Sequence, residues 1–327
     1  MSTEIQENII NTAHKLVENN LVARTWGNLS QRIDENSFYC TPSGRDYADL
    51  TADEMVVCHL DGSYQGNLKP TTERSLHALI YGERADANFV IHTHQPYASA
   101  LSISTTDYAI PEDLQKKLGS ATLPAAAYGL PGQKKLHNAV MDALRSTGSR
   151  AVLMRSHGLI VFAQTAEEAL QLALDVEDFC REEYERRTDI HSADLAPAAY
   201  QRGDGGRLPK EVERIFAKRP DIKCVLEDAD PVVLQYKDSL PPYLDDFAQI
   251  VGIKMSANPY ANAMFGENAV YYYGKDIADA EAVRMITHKN ALTATMANLF
   301  AVRPLPLPDR LIMNAVYRLT YSKRKEK

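Results

Sequence analysis

Apolar residues recur along this chain at two spacings, and the switches between them separate helices from strands. Ile5, Ile9, Ala13, Leu16 and Val17 keep helical spacing and predict a first helix, with Thr3 and Gln6 placed as a capping box. After Asn19-Asn20 the pattern changes. Trp26-Gly27-Asn28-Leu29-Ser30 reads as a glycine turn entering a strand, and 37–40 and 55–60 read as short strands followed by an Asp61-Gly62 hairpin turn. Pro70-Thr71-Thr72-Glu73 opens a second helix with Leu76, Leu79, Ile80 and Tyr81 on its apolar face. Phe89-Val90-Ile91-His92-Thr93-His94 is a strand run ending in polar residues, and Pro96 starts another helix through Leu101. A helix at 136–144 precedes apolar strands at 151–154 and 159–162, which flank Ser156-His157-Gly158. The long helix 166–187 is acidic at its start and basic at its end, as the helix dipole favours.

Periodicity then lapses. The turn-rich stretch around 188–210 holds Ala196-Pro197, Gly203-Asp204-Gly205-Gly206 and Pro209, and it divides the chain into a domain at 1–190, a linker at 191–210 and a second domain at 211–327. Beyond it come helix, strand, helix, strand, helix, a proline-rich break from Arg303 to Pro308, and a closing helix 310–318. Two passages match at a constant offset of 135: Arg84, Asp86, Val90 and Pro96 meet Arg219, Asp221, Val225 and Pro231. The second half therefore reads as a smaller, degenerate copy of the first. Its chemistry is gone, because Glu227 stands at the place of His92, Ala229 at that of His94, Leu208 at that of Glu73, and 268–269 at that of His157.

A length of 327 residues suits about two domains, and 45% hydrophobic with 24% charged residues suits a folded chain. The net charge of -7 argues against nucleic acid or an anionic membrane as partner, the basic end Lys323–Lys327 being only a tail. No run approaches the ~20 apolar residues of a membrane span. The start lacks the basic and apolar regions of a secretory signal, and the widely spread cysteines (Cys40, Cys58, Cys180, Cys224) form no CxxC pair. A cytoplasmic protein with reduced thiols is expected.

Candidate chemistry centres on His92-Thr93-His94. On a strand, residues two apart project from one face, so both imidazoles can reach one ion. His157, before Gly158, offers a third ligand at a place where the backbone can come close, and three histidines with an open position suit catalytic zinc. Glu73 at a helix start is either a dipole-stabilising acid or a general base. Thr71 and Thr72 beside it add hydroxyls and N–H groups suited to an anion. Gly27-Asn28-Leu29-Ser30 and Thr41-Pro42-Ser43-Gly44 are further small, hydroxyl-bearing turns.

In this order, with His77 between Glu73 and His92, the set resembles the class II sugar-phosphate aldolase and adducin-head family over about Ile5 to Arg187. The resemblance implies a three-layer α/β/α sandwich around a mainly antiparallel sheet. It implies Zn2+ or another divalent metal on His92, His94 and His157, Glu73 as acid/base, and a substrate phosphate on Asn28, Ser43, Gly44, Thr71 and Thr72. The glutamate at 73, where related 4-epimerases usually carry aspartate, favours the aldolase branch. The segment Leu123–Gly132 resembles the fuculose-phosphate aldolase stretch whose tyrosine protonates the aldehyde oxygen, which puts Tyr128 in that role. The implied activity is zinc-dependent, reversible cleavage of a ketose 1-phosphate to dihydroxyacetone phosphate and an aldehyde through a metal-stabilised enediolate. The alternatives are an epimerase or decarboxylase with the same site and an adducin-like scaffold. Family members are often tetramers, so a homo-oligomer is expected, either a tetramer or a dimer in which the second half stands in for a neighbour.

Overall fold

A computed structural model describes residues 2–22, 26–191, 196–203 and 205–321; the basic tail at 323–327 lies outside them. The chain divides into two compact units, Met1–Glu183 and Tyr184–Lys327.

The first unit opens with α1 (Ser2–Glu18), β1 (Gly27–Arg32), β2 (Ser37–Cys40), β3 (Val56–His59), β4 (Tyr64–Gln65) and α2 (Arg74–Glu83). It continues through β5 (Phe89–Thr93), α3 (Pro96–Leu101), β6 (Tyr108–Ala109), α4 (Glu112–Leu118), β7 (Thr122–Leu123) and β8 (Ala125–Ala126). Helix α5 (Lys134–Thr147), β9 (Ala151–Met154), β10 (Gly158–Ala163) and most of α6 (Ala166–Thr188) complete it. One sheet runs in the order β4-β3-β2-β1-β5-β10-β9-β8. Each of its pairings is antiparallel except β8 with β9. Strands β6 and β7 form a separate small pair.

Strand alternation explains the layers. Val90, Ile160 and Phe162 point to one face and pack with Leu76 and Ile80 of α2 and Val140 and Leu144 of α5. Their neighbours Ile91, Leu159 and Val161 are just as buried on the opposite face, where α1 and α3 lie. Helices on both faces of a mainly antiparallel sheet make the expected α/β/α sandwich. Two local expectations do not hold. Gln6 forms no capping box, because α1 already starts at Ser2 and the Gln6 side chain donates to the Ala52 carbonyl (2.6 Å). Leu79 is 38% exposed, and His77 takes the inward position on α2 instead.

The second unit contains β11 (Ala198–Gln201), α7 (Lys210–Lys218), β12 (Cys224–Asp228), α8 (Pro231–Leu234) and α9 (Asp245–Ile250). It ends with β13 (Ala263–Phe265), β14 (Val270–Gly274), α10 (Ile277–Leu299) and α11 (Leu307–Val316). Strand β11 falls within the stretch read as linker. It is short, largely exposed and an edge strand, so it carries no alternating apolar signal.

The sheet order β11-β12-β14-β13 parallels β1-β5-β10-β9 in the first unit. Individual contacts parallel as well. Arg84 makes a fork to Asp86 (2.9 and 2.9 Å), and Arg219 makes the same fork to Asp221 (2.9 and 2.7 Å). Arg32, the last residue of β1, donates to the Tyr81 and Ala87 carbonyls and lies over the Tyr81 ring. Arg202, after β11, donates to the Phe216 and Ile222 carbonyls and lies over the Phe216 ring. Phe216 and Ile222 stand 135 positions after Tyr81 and Ala87, the offset found in the sequence.

Candidate active site

Sheet pairing assembles the site. On β5, His92 is opposite Asn28 of β1 on one side and Ile160 of β10 on the other. His94 follows β5 by a single residue, and His157 precedes β10. The ends of these neighbouring strands bring the three imidazoles together, with one ring nitrogen from each within 4.8 Å of the others. His92 and His157 stack with ring centroids 4.7 Å apart. Gly158 is required for the strands rather than for a ligand. A Cβ there would lie 2.2 Å from the Thr93 carbonyl oxygen, so only glycine lets β10 come this close to β5.

Glu73 occupies the N-cap position of α2, but its carboxylate makes no capping bond. It turns inward, where Oε1 is 3.0 Å from His157 Nε2 and Oε2 is 3.1 Å from His92 Nε2. Asn28 Nδ2 donates to Oε2 at 3.0 Å. Burial opposes charge on Glu73. The electrostatic pull of His92 and His157, with hydrogen bonds from His157 and Asn28, outweighs burial and holds the carboxyl well below the usual range. Burial, opposed by Glu73, pushes the His92 ring well below the usual imidazole range.

The donor set fits a divalent cation. His92 Nδ1 donates to the Leu159 carbonyl (2.8 Å), which fixes the proton there and leaves a lone pair on Nε2. That lone pair faces His94 Nε2 at 2.9 Å and the Glu73 carboxylate at 3.1 Å. A bound cation satisfies such converging electron pairs, and three imidazoles beside a carboxylate suit zinc among the common divalent ions.

The candidate anion-binding turns run side by side. Pro42 bridges Pro70, Ser43 N donates to the Lys69 carbonyl (2.9 Å), and Thr71 N donates to the Thr41 carbonyl (3.1 Å). Thr41 Oγ1 accepts from Leu29 N (3.2 Å), which ties both turns to the strand carrying Asn28. Thr71 Oγ1 accepts from Glu73 N (3.3 Å) and shapes the turn into α2. Gly44, with φ +78, and Thr72 are exposed, and Ser43 is half-buried. Tyr128 is half-buried after β8. Its segment leaves the sheet beside the end of β9, since Ala126 pairs with Met154, whose carbonyl accepts from His157 N (3.0 Å).

Behind Glu73 lies a buried chain of side chains whose roles were not read from sequence. Asn28 Nδ2 faces the carboxylate, so Asn28 Oδ1 faces His77 and accepts from its Nε2 at 2.6 Å. His77 Nδ1 is then an acceptor and receives Ser30 Oγ–H (2.6 Å), while Tyr81 donates to Ser30 Oγ (2.7 Å). Burial, opposed by Glu73 and reinforced by His137, lowers His77 to about 4. A signal was present: Glu73, His77 and Tyr81 recur every four residues along α2, and Asn28 and Ser30 share one face of β1. His137 on α5 was also missed. Its Nε2 is buried without a hydrogen-bond partner among the described residues.

A family model described as the class II aldolase and adducin N-terminal domain matches residues 7–184. This chain belongs to that family. A 5-deoxy-D-ribulose 1-phosphate aldolase of Bacillus thuringiensis is 30% identical over 195 residues, 59% of this chain and 89% of the relative. An L-fuculose phosphate aldolase of Escherichia coli is 30% identical over 174 residues, 53% of this chain and 80% of the relative. Among solved structures, an L-fuculose 1-phosphate aldolase superposes with TM-score 0.53 at 26% identity, covering 67% of this chain and 97% of its own. The chain is accordingly an enzyme of the class II aldolase kind, a carbon–carbon lyase. No helix among the described residues is long and apolar enough to cross a membrane.

Proposed function

We propose that this enzyme reversibly cleaves a ketose 1-phosphate to dihydroxyacetone phosphate and an aldehyde, with a divalent metal, zinc by its donor set, on His92, His94 and His157. The observation that carries this reading is a buried carboxylate held within 3.1 Å of two rings of that histidine trio. When bound, the metal supplies a Lewis acid that draws charge from the substrate's carbonyl. In condensation, the Glu73 carboxylate removes a proton from the carbon next to the dihydroxyacetone phosphate carbonyl. The electron pair left on that carbon forms the new bond to the aldehyde carbon, and the aldehyde oxygen takes a proton from Tyr128. Cleavage runs the same transfers backwards, so the proton lost from the hydroxyl and the proton gained by carbon balance. Asn28, Ser43, Gly44, Thr71 and Thr72 would hold the phosphate. The alignment of their two turns with β1 supports that role.

The second unit is proposed to be a degenerate copy without chemistry. The cross-strand row Asn28–His92–Ile160 becomes Ala198–Glu227–Tyr271 at the corresponding places. Homo-oligomeric assembly belongs to the same reading and is measurable by sedimentation.

The test follows released dihydroxyacetone phosphate by coupled reduction with NADH. L-Fuculose 1-phosphate and 5-deoxyribulose 1-phosphate are the first substrates, chosen from the relatives' names. Cleavage should stop on chelation and return with added zinc. A metal-loaded protein that cleaves no ketose 1-phosphate refutes the reading.

A further inference from the structure

We infer that His77 is a positioning residue: its Nε2–H locks the Asn28 amide so that Nδ2 is directed at Glu73. The inference rests on the proposed acid/base role of Glu73. An amide can present either its oxygen or its nitrogen to a neighbour, and the two ends look alike in shape. Here both ends are occupied. Nδ2 donates to Glu73 Oε2 (3.0 Å), and Oδ1 accepts from His77 Nε2 (2.6 Å). Turning the amide over would set an N–H against the His77 donor and a carbonyl oxygen against a carboxylate, losing both bonds in a buried site.

The lock extends further back. Ser30 must donate to His77 Nδ1 (2.6 Å), because that nitrogen carries no proton when Nε2 does. Tyr81 then donates to Ser30 (2.7 Å), and every proton in the row has one direction. Asn28, Glu73, Ser30, His77 and Tyr81 are all buried, so water does not compete for these bonds.

The second unit provides an internal control. At the corresponding places Asn28 becomes Ala198, Ser30 becomes Tyr200, Glu73 becomes Leu208, His77 becomes Val212 and Tyr81 becomes Phe216. Val212 and Phe216 lie in that unit's apolar core, and Leu208 packs against it. The arginine contacts that hold the scaffold persist there, Arg84–Asp86 as Arg219–Asp221 and Arg32 as Arg202. The hydrogen-bonded row vanished together with the metal-ligand positions, whereas the structural pairs stayed. A row needed only for packing had no reason to follow the ligands.

The experiment uses the full chain, metal-loaded, in the retro-aldol assay. His77→Val should lower kcat roughly 10–100-fold, the effect of losing one buried orienting hydrogen bond, with KM within about threefold. Bound metal should be unchanged. His77→Gln, whose Nε2–H can reach the same acceptor, should recover most of kcat. In an Asn28→Ala background, His77→Val should cost less than about twofold more, because the residue it acts through is gone. Equal losses in both backgrounds, or no recovery with glutamine, overturn the inference. If the valine variant does not fold, nitrogen-detected imidazole spectra of the wild-type chain decide, with the His77 signal identified by its loss in His77→Gln. A neutral Nε2–H ring from pH 6 to 8 supports the lock, and an Nδ1–H ring refutes it. A wild-type chain that cleaves no ketose 1-phosphate refutes the proposed function instead, and the spectra still settle the amide's orientation.

Discussion

Glu73→Gln separates the carboxylate's chemistry from its place in the scaffold. Glutamine keeps the shape of glutamate, and the surroundings dictate how it would sit. Asn28 Nδ2 donates to Oε2 and is held that way by His77, so the glutamine oxygen must take that position. Its NH2 group then faces His157 Nε2, 3.0 Å from the present Oε1, which can accept once the ring gives up the proton it donates to the carboxylate. Both contacts survive as neutral hydrogen bonds, and the folded state should lose no more than about 1.5 kcal/mol. The three imidazoles are untouched, so metal should be retained in nearly full amount. What is lost is the proton acceptor. Positioned general acid–base groups contribute about 10²–10⁴-fold, or about 2.7–5.4 kcal/mol of barrier. Two measurements check this: kcat in the coupled assay and metal content by mass spectrometry of the desalted protein. Turnover within threefold of wild type would refute the acid/base role, and loss of metal along with turnover would show Glu73 to be chiefly a ligand.

Other consequences follow from single residues. Gly158→Ala would put a Cβ 2.2 Å from the Thr93 carbonyl oxygen, and β10 would have to move from β5. The cost should be about 1–3 kcal/mol, a melting-temperature drop of roughly 2–12 °C, with weakened metal retention because His92 and His157 are carried by those strands. Glu177 on α6 accepts from the Tyr97 and Ala98 N–H groups (2.8 and 2.9 Å), and burial, opposed by those bonds, raises its pKa from 4.5 to about 7. The folded chain thus holds this proton more tightly than the unfolded chain. Stability from this group should fall as pH rises from about 4.5 to about 7, by up to about 3 kcal/mol, and urea titrations of Glu177→Gln should lack that component. An equal pH dependence in both proteins would contradict it.

How much of this was legible beforehand varies by element. The His92-Thr93-His94 strand, the proline-started α3 and the long α6 were read at nearly their observed bounds, because each combines strong periodicity with a clear start or stop. Short pieces were not read: α4, the β6 and β7 pair and β11 are too brief or too exposed to show a period. Leu79 was misplaced because residues 76, 79 and 80 fit one apolar stripe as well as 76, 77 and 80 do. A histidine with both ring nitrogens hydrogen-bonded can be buried where leucine was expected. The catalytic candidates were all in view, but the lock behind them was not, since its members are single polar residues of ordinary type.

By itself the sequence determined what depends on near neighbours. Two histidines two apart on a strand share a face, a proline after them starts a helix, and Arg84 with Asp86 recurs as Arg219 with Asp221 at one constant offset. Only the tertiary structure decided which distant residues meet. Asn28 reaches Glu73 across 45 positions, and His157 reaches it across 84. Those meetings depend on β1 and β10 both pairing with β5, and on the single register in each pair that sets Asn28 and Ile160 opposite His92. A slip of one residue would turn Asn28 to the other face of the sheet. Register is fixed by the burial of whole strands on both faces, a property of the assembled core that no short stretch of sequence contains.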